Sequence, residues 1–381
     1  MNCSIDPERQ KRAVAYARAQ YLLLAVNLTA LGTYVLAWLL TGLSRNLSAI
    51  LAALTPFRPV LVALYLIMFG LGYAVITFPL DFLAYRLSRR YDLSVQTFWS
   101  WLADLGKAGL LNLILGLVVG EVFYTLLAIA PTTWWLWAGA FLFLFTAVLA
   151  NLYPVVIVPI FFKMTPVADA ELVRRLTRMV QRAGAQVRDV FTLDFSRKTT
   201  AADAALMGWG NTRRIVLSDT LLAHDTLDEV EVILAHELAH HMHGDVWKGM
   251  LVSGPLLWGG LWVAARFLAW AVARWDFGGP DDIAAFPLLA MSLGGFGLAT
   301  MPLANAYSRW REKLADEYAL RITGNPAAFL SAMAKLANQN LAQVEPPYWA
   351  VWLLYTHPPI GERLRMGERY SELLSQSATE E

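Results

Sequence analysis

Six long apolar runs, with a histidine-rich stretch outside them, predict a mainly α, polytopic membrane protein. It should have about six transmembrane helices and a mixed α/β cytoplasmic domain. Hydrophobic residues make up 57% of the chain and charged residues only 16%, with a mean hydropathy of +0.45. A soluble domain carries about 25% charged residues, so much of this chain lies out of water. The apolar excess is concentrated. Residues 19–43, 60–80, 134–162 and 284–307 contain no charge, 109–131 carry only Glu121, and 246–265 only Lys248. Each run can cross about 30 Å of hydrocarbon. The apolar run 47–54 is too brief to span and is expected at the interface.

The positive charges order these spans. Lys plus Arg number four before the first span, then two, four, none, eleven, one and eight in the successive polar segments, with Arg266 set aside as a snorkelling residue. High and low counts alternate. The positive-inside rule then places both termini and both metal-binding segments in the cytoplasm. The chain divides into 1–160, an N-terminal membrane region of four spans; 161–245, a first catalytic segment; 246–306, two further spans; and 307–381, a second catalytic segment. The first span resembles an uncleaved anchor, since its apolar core is too long for a signal peptide. The single Cys3 excludes an intrachain disulfide and fits a reducing side. A net charge of +1 gives no reason to expect nucleic acid binding. Nothing in the sequence reports the oligomeric state.

The segment 161–245 mixes elements. Residues 171–183 read as an amphipathic helix and 188–194 as a strand. Residues 204–209 and 213–218 read as two strands joined by a hairpin turn at Gly210-Asn211-Thr212. A strand near a metal can pair with an extended peptide. Thr226-Leu227-Asp228-Glu229 fits a capping box that starts a helix, with Val230, Ile233, Leu234 and Leu238 following at helical spacing.

That helix carries His236-Glu237-Leu238-Ala239-His240. Residues four apart on a helix sit about 40° apart and one turn up. Two imidazoles so placed can converge on one metal ion, with Glu237 beside them to take a proton from a water on the metal. His241 turns about 140° away from His236, and His243 lies about 10.5 Å along the axis, so neither suits the same ion. A third ligand must come from elsewhere. Glu312 is the best candidate, in Ser308-Arg309-Trp310-Arg311-Glu312-Lys313-Leu314-Ala315-Asp316-Glu317. Asp316 sits four residues on, on the same face, where it can orient a ligand imidazole.

These motifs together resemble the membrane zinc metalloproteases of the type I CAAX prenyl endopeptidase family, especially its bacterial members. The resemblance rests on HELAHHMHGD at 236–245, SRWREKLADEYA at 308–319, and Thr356-His357-Pro358-Pro359-Ile360-Gly361-Glu362-Arg363-Leu364. Upstream, residues 159–166 and 211–217 also fit, and 91–97 fit more loosely. The resemblance implies a gluzincin-like zinc protease domain holding one Zn2+ per chain through His236, His240 and Glu312. It implies Glu237 as general base, Asp316 as support for the zinc site, and His357 and Arg363 as residues that hold substrate or stabilise the oxyanion. It also implies a peptide or membrane-protein substrate, prenylated or not, and for a bacterial member the inner membrane. Two departures stand out. Eukaryotic members have seven spans around an intramembrane chamber, and this chain has six. Asp203 falls where the family commonly has Asn beside the substrate backbone. Two other readings remain open from the sequence: a site-2-type intramembrane metalloprotease, or a non-enzymatic metal-binding transporter or scaffold, for which Glu121 would suit transport.

Overall fold

The computed structural model describes residues 4–208 and 213–377. Cys3 and the turn Gly210-Asn211-Thr212 lie outside them. Fourteen α-helices and four strands occupy the described residues. The first five helices are α1 (Pro7–Leu40), α2 (Leu43–Leu54), α3 (Arg58–Arg90), α4 (Phe98–Ile129) and α5 (Trp134–Leu152), the last running through one π-helical turn into α6 (Val158–Phe161). A mixed α/β segment follows: β1 (Met164–Pro166), α7 (Ala170–Arg182), β2 (Asp189–Leu193), β3 (Ala204–Met207), β4 (Arg214–Ser218), α8 (Asp219–His224) and α9 (Leu227–Met242). The chain returns to long helices in α10 (Asp245–Arg274) and α11 (Phe286–Thr323), and ends in α12 (Pro326–Gln339), α13 (Tyr348–Leu354) and α14 (Ile360–Ser377).

Six segments are long and apolar enough to cross a membrane: Pro7–Leu40, Arg58–Arg90, Phe98–Ile129, Trp134–Phe161, Asp245–Arg274 and Ile283–Thr323. They are the six expected runs, extended by polar ends. Their outer faces display side chains such as Leu22, Val75, Leu144 and Leu251, an apolar surface that water would not tolerate at this extent. Inside, Tyr65, Leu127, Trp134, Leu261 and Leu268 form a membrane core. The short helix α2 has 12 residues, about 18 Å, too little to span. It packs through Leu51 and Ser44, whose hydroxyl bonds Tyr65 and the Ala284 carbonyl at 2.6 Å each.

A second core joins the mixed α/β segment to α12. Leu172 and Leu176 of α7, Ile215 and Leu217 of β4, Leu234 and Leu238 of α9, and Phe329 of α12 are fully or almost fully buried together. The four strands form one sheet in the order β1-β2-β4-β3. β2 and β4 are parallel, whereas β1 and β3 pair antiparallel to their neighbours. β3 is thus an edge strand, and among the described residues no strand lies beyond it. Two features decide where the site falls. Gly244, at φ +66 in the left-handed region that favours glycine, ends the α9 segment and turns the chain into α10. α11 runs unbroken for 38 residues, about 57 Å. The sixth span and the Glu312 segment, expected as separate stretches, are one rod.

Candidate active site

The metal-motif helix α9 begins as its sequence requires. Thr226 caps it, and the Glu229 carboxylate accepts the Thr226 backbone N–H at 2.6 Å in a full capping box. Ser331 and Lys335 of α12 hold the same carboxylate at 2.6 Å each. The start of the helix is therefore pinned from two sides, and its third turn arrives in a fixed place.

There His236 and His240 turn toward α11. His236 Nε2 lies 3.1 Å from Glu312 Oε2, and His240 Nε2 lies 3.4 Å from Glu312 Oε1. One ligand atom from each of these three residues falls within 4.8 Å of the others. A tetrahedral ion with bonds of about 2.1 Å separates its ligands by about 3.4 Å, so two imidazoles and one carboxylate at these spacings fit a divalent metal. The three residues could hold it without rearrangement of the backbone.

Each imidazole is oriented from behind. His236 Nδ1–H donates to Asp316 Oδ1 at 2.8 Å, and Arg363 grips Asp316 from the far side with bonds of 2.6 and 2.8 Å. His240 Nδ1–H donates to Asp245 Oδ2 at 2.8 Å, and Arg311 pairs with the other oxygen of Asp245. The two arms match: histidine, carboxylate, arginine. Both leave Nε2 free to face the ion, the usual way an outer carboxylate fixes a ligand tautomer. Burial lowers the His236 imidazole, but Asp316 and Glu312 outweigh it and raise the ring to about 9. These carboxylates favour a cation at this point, proton or metal.

The other expected residues fall as follows. Glu237 is largely enclosed; burial raises its carboxyl above the usual carboxylate range, His236 and His240 oppose the shift, and Asp203 and Glu312 add to it. His357 follows α13, with Nε2 3.4 Å from Glu312 Oε2 and Nδ1 3.0 Å from the Thr356 hydroxyl. Arg309 donates to the Val351 and Tyr355 carbonyls, and Asn305 to that of Leu353, tying α13 to α11. Arg363 is buried, with its hydrogen bonds directed to both oxygens of Asp316. Asp203 immediately precedes β3, and its Oδ1 accepts the Ala204 N–H at 2.9 Å. His243 lies further along the chain at the end of α9, edge-on to Tyr318 at 5.5 Å. His241 points to β3, where Nε2–H donates to the Leu206 carbonyl at 2.8 Å. Sequence reasoning missed Asp245 and Arg311. A trace of the first was present: Asp245 follows His240 by five residues, just past the glycine that turns the chain back.

Fold and site together define a multi-pass membrane protein with a metalloprotease-type His-His-Glu centre. Residues 166–369 match the sequence model of peptidase family M48, and residues 1–163 match the CAAX prenyl protease N-terminal model, described as five membrane helices. The chain belongs to peptidase family M48. Bacillus subtilis YhfN, an uncharacterized metalloprotease, is 30% identical over 339 residues, 87% of this chain and 79% of that protein. A CAAX prenyl protease 1 homolog of Arabidopsis thaliana is 28% identical over 305 residues, 73% of this chain and 66% of that protein. The crystal structure of S. mikatae Ste24p shares the fold, with a TM-score of 0.83 at 22% identity, covering 95% of this chain and 89% of that one. The protein is thus a membrane metalloprotease. The site-2-type and transporter or scaffold readings are not favoured. In this chain the N-terminal region contains five helices before α6, but α2 is the short one that cannot span.

Proposed function

We propose that this protein is a zinc-dependent endopeptidase that cuts peptide or membrane-protein segments at the cytoplasmic face of a bacterial inner membrane. The observation that carries the reading is the meeting of His236, His240 and Glu312 within ligand distance, with Glu237 one residue from His236 in the same enclosed place. When bound, one Zn2+ per chain would polarise the scissile carbonyl and make a water acidic. The ligand set of two imidazoles and a carboxylate suits zinc.

The side chains divide the work. Glu237 takes the proton of the attacking water and returns it to the leaving amine. Its raised carboxyl value brings it nearer the proton affinities of both partners, which favours transfer in each direction. His357, open to solvent and beside Glu312, donates a hydrogen bond to the oxyanion that develops on the substrate. Arg363 acts through Asp316, holding His236 in its metal-facing tautomer. The free edge of β3 takes the substrate in extended form, with Asp203 at its entrance. Sidedness follows from charge: the alternating Lys/Arg counts put the segments holding α9 and α14 on the cytoplasmic side.

The test replaces Glu237 by Gln. This variant should keep a full zinc equivalent by elemental analysis and lose hydrolysis of an unstructured peptide by about a hundredfold to ten-thousandfold, the usual range for one general acid–base group. Peptide turnover near the wild-type rate in the variant would sink the mechanism; a different metal at full occupancy would sink the zinc assignment.

A further inference from the structure

The outer edge of β3 is partly closed by this chain's own side chains. Ser218 donates its backbone N–H to the Asp203 carbonyl at 2.9 Å, so residues 203 and 218 form a hydrogen-bonded pair of the antiparallel ladder. Such pairs recur at every second residue. In the β3–β4 register, Ala205 with Val216 and Met207 with Arg214 therefore bond inward, and Ala204 and Leu206 turn their N–H and C=O outward. Two separate bonds agree with this phase. The Ala204 N–H is taken by Asp203 Oδ1 at 2.9 Å, and the Leu206 C=O by His241 Nε2–H at 2.8 Å. Of four outward groups, two remain: the Ala204 C=O and the Leu206 N–H. Among the described residues neither has a partner.

This edge adjoins the helix that carries His236 and His240. His241 is the residue after His240, and a cavity of about 420 Å3 lies along the strand, lined by Leu206, Met207, Arg213, His240, His241 and Asn151 among others. A peptide entering it meets one acceptor and one donor. An open strand edge otherwise pairs in any register that keeps the pleat in phase.

We propose that His241 and Asp203 reduce β3 to a two-bond slot, and that His241 thereby limits the substrate to one backbone N–H donated to the strand. The inference rests on the reading of β3 as the substrate-pairing edge. His241 is a positioning residue here, acting through the Leu206 carbonyl. With that carbonyl blocked, a substrate can donate only one backbone N–H to the strand, the one that meets the Ala204 C=O. With the carbonyl open, a second N–H, two residues from the first, is accepted as well.

The experiment uses the full-length protein in detergent and an unstructured peptide cut at one mapped bond. Each backbone N–H of the peptide is methylated in turn. Apart from the scissile amide, one position should be sensitive in the wild type, with kcat/KM falling roughly threefold to tenfold for one lost hydrogen bond. In His241→Ala a second position, two residues away, should become sensitive. A second site N-terminal to the first marks an antiparallel substrate; one C-terminal to it marks a parallel substrate. His241→Gln, whose amide can still donate to Leu206, should restore the wild-type pattern. An unchanged methylation profile in metal-loaded His241→Ala overturns the proposal while leaving β3 as the substrate edge. Two sensitive positions in the wild type overturn it without any variant. If methylation matters nowhere beyond the scissile amide, the β3 reading itself falls, and this proposal with it.

Discussion

Asp245→Asn tests the arm that sequence reasoning missed. Asp245 accepts the His240 Nδ1–H with one oxygen at 2.8 Å, and its other oxygen pairs with Arg311. Both side chains are nearly sealed, at 12% and 8% exposure. Asn keeps the shape but offers one acceptor where two are needed. Its NH2 must then face either the imidazole N–H or the guanidinium, donor against donor. Loss of such an outer partner weakens metal binding by about tenfold to a hundredfold, equivalent to about 1.4–2.8 kcal/mol. Asp245→Ala is the poorer probe, because it also strands a buried guanidinium at a cost of about 3–5 kcal/mol. The assay is zinc affinity by competition with a fluorescent chelator, with the melting temperature of metal-free protein as the folding control. Adding Arg311→Met should let the Asn carbonyl serve His240 alone and recover about tenfold. Wild-type zinc affinity in a folded Asp245→Asn protein would refute the idea that this carboxylate orients the ligand.

Three more outcomes are expected. Glu312→Ala leaves two imidazoles to hold the ion, so zinc content by elemental analysis and peptide hydrolysis should both collapse; full metal content would remove Glu312 from the ligand set. Asp225→Asn should stabilise the protein at neutral pH. Burial pushes the Asp225 carboxyl up to about 6, Lys335 opposes and Glu229 adds to it, and neither oxygen has a partner among the described residues. Since the folded value exceeds the unfolded value of about 3.9, the stabilising contribution is full below about pH 4 and lost as pH rises through 6. The variant should gain about 1 kcal/mol at pH 7.5, after allowance for solvent screening, and little at pH 4; equal melting shifts at both would contradict this. Reporter fusions after Gly278 should read external and fusions after Glu381 internal, and labelling of residues 165–208 and 324–370 from opposite sides would break the topology.

The sequence by itself determined the elements whose cause is local. The six spans are visible because each needs about twenty predominantly apolar residues in a row, and the structure extends those runs without adding or removing one. The start of α9 is visible because Thr226 and Glu229 satisfy each other's backbone donors within one turn. His236 and His240 share a face because helix geometry demands it. Glu312 and Asp316 share a face for the same reason, but their approach to α9 is no consequence of spacing. It follows from the packing of α9 against the unbroken rod of α11, which the sequence presents as an apolar run followed by a charged one. The same limit applies to the second arm. Gly244 announces a turn, but only the fold shows that the turn returns Asp245 to His240 and opposes it with Arg311. His241 could be said from helix geometry to face away from His236; that it faces the Leu206 carbonyl depends on which strand the sheet leaves at its edge. Local hydrogen bonding and hydrophobic length are written along the chain. The distances between its metal ligands, and the choice of which backbone groups stay free, depend on contacts between residues tens of positions apart, and tertiary packing alone decides them.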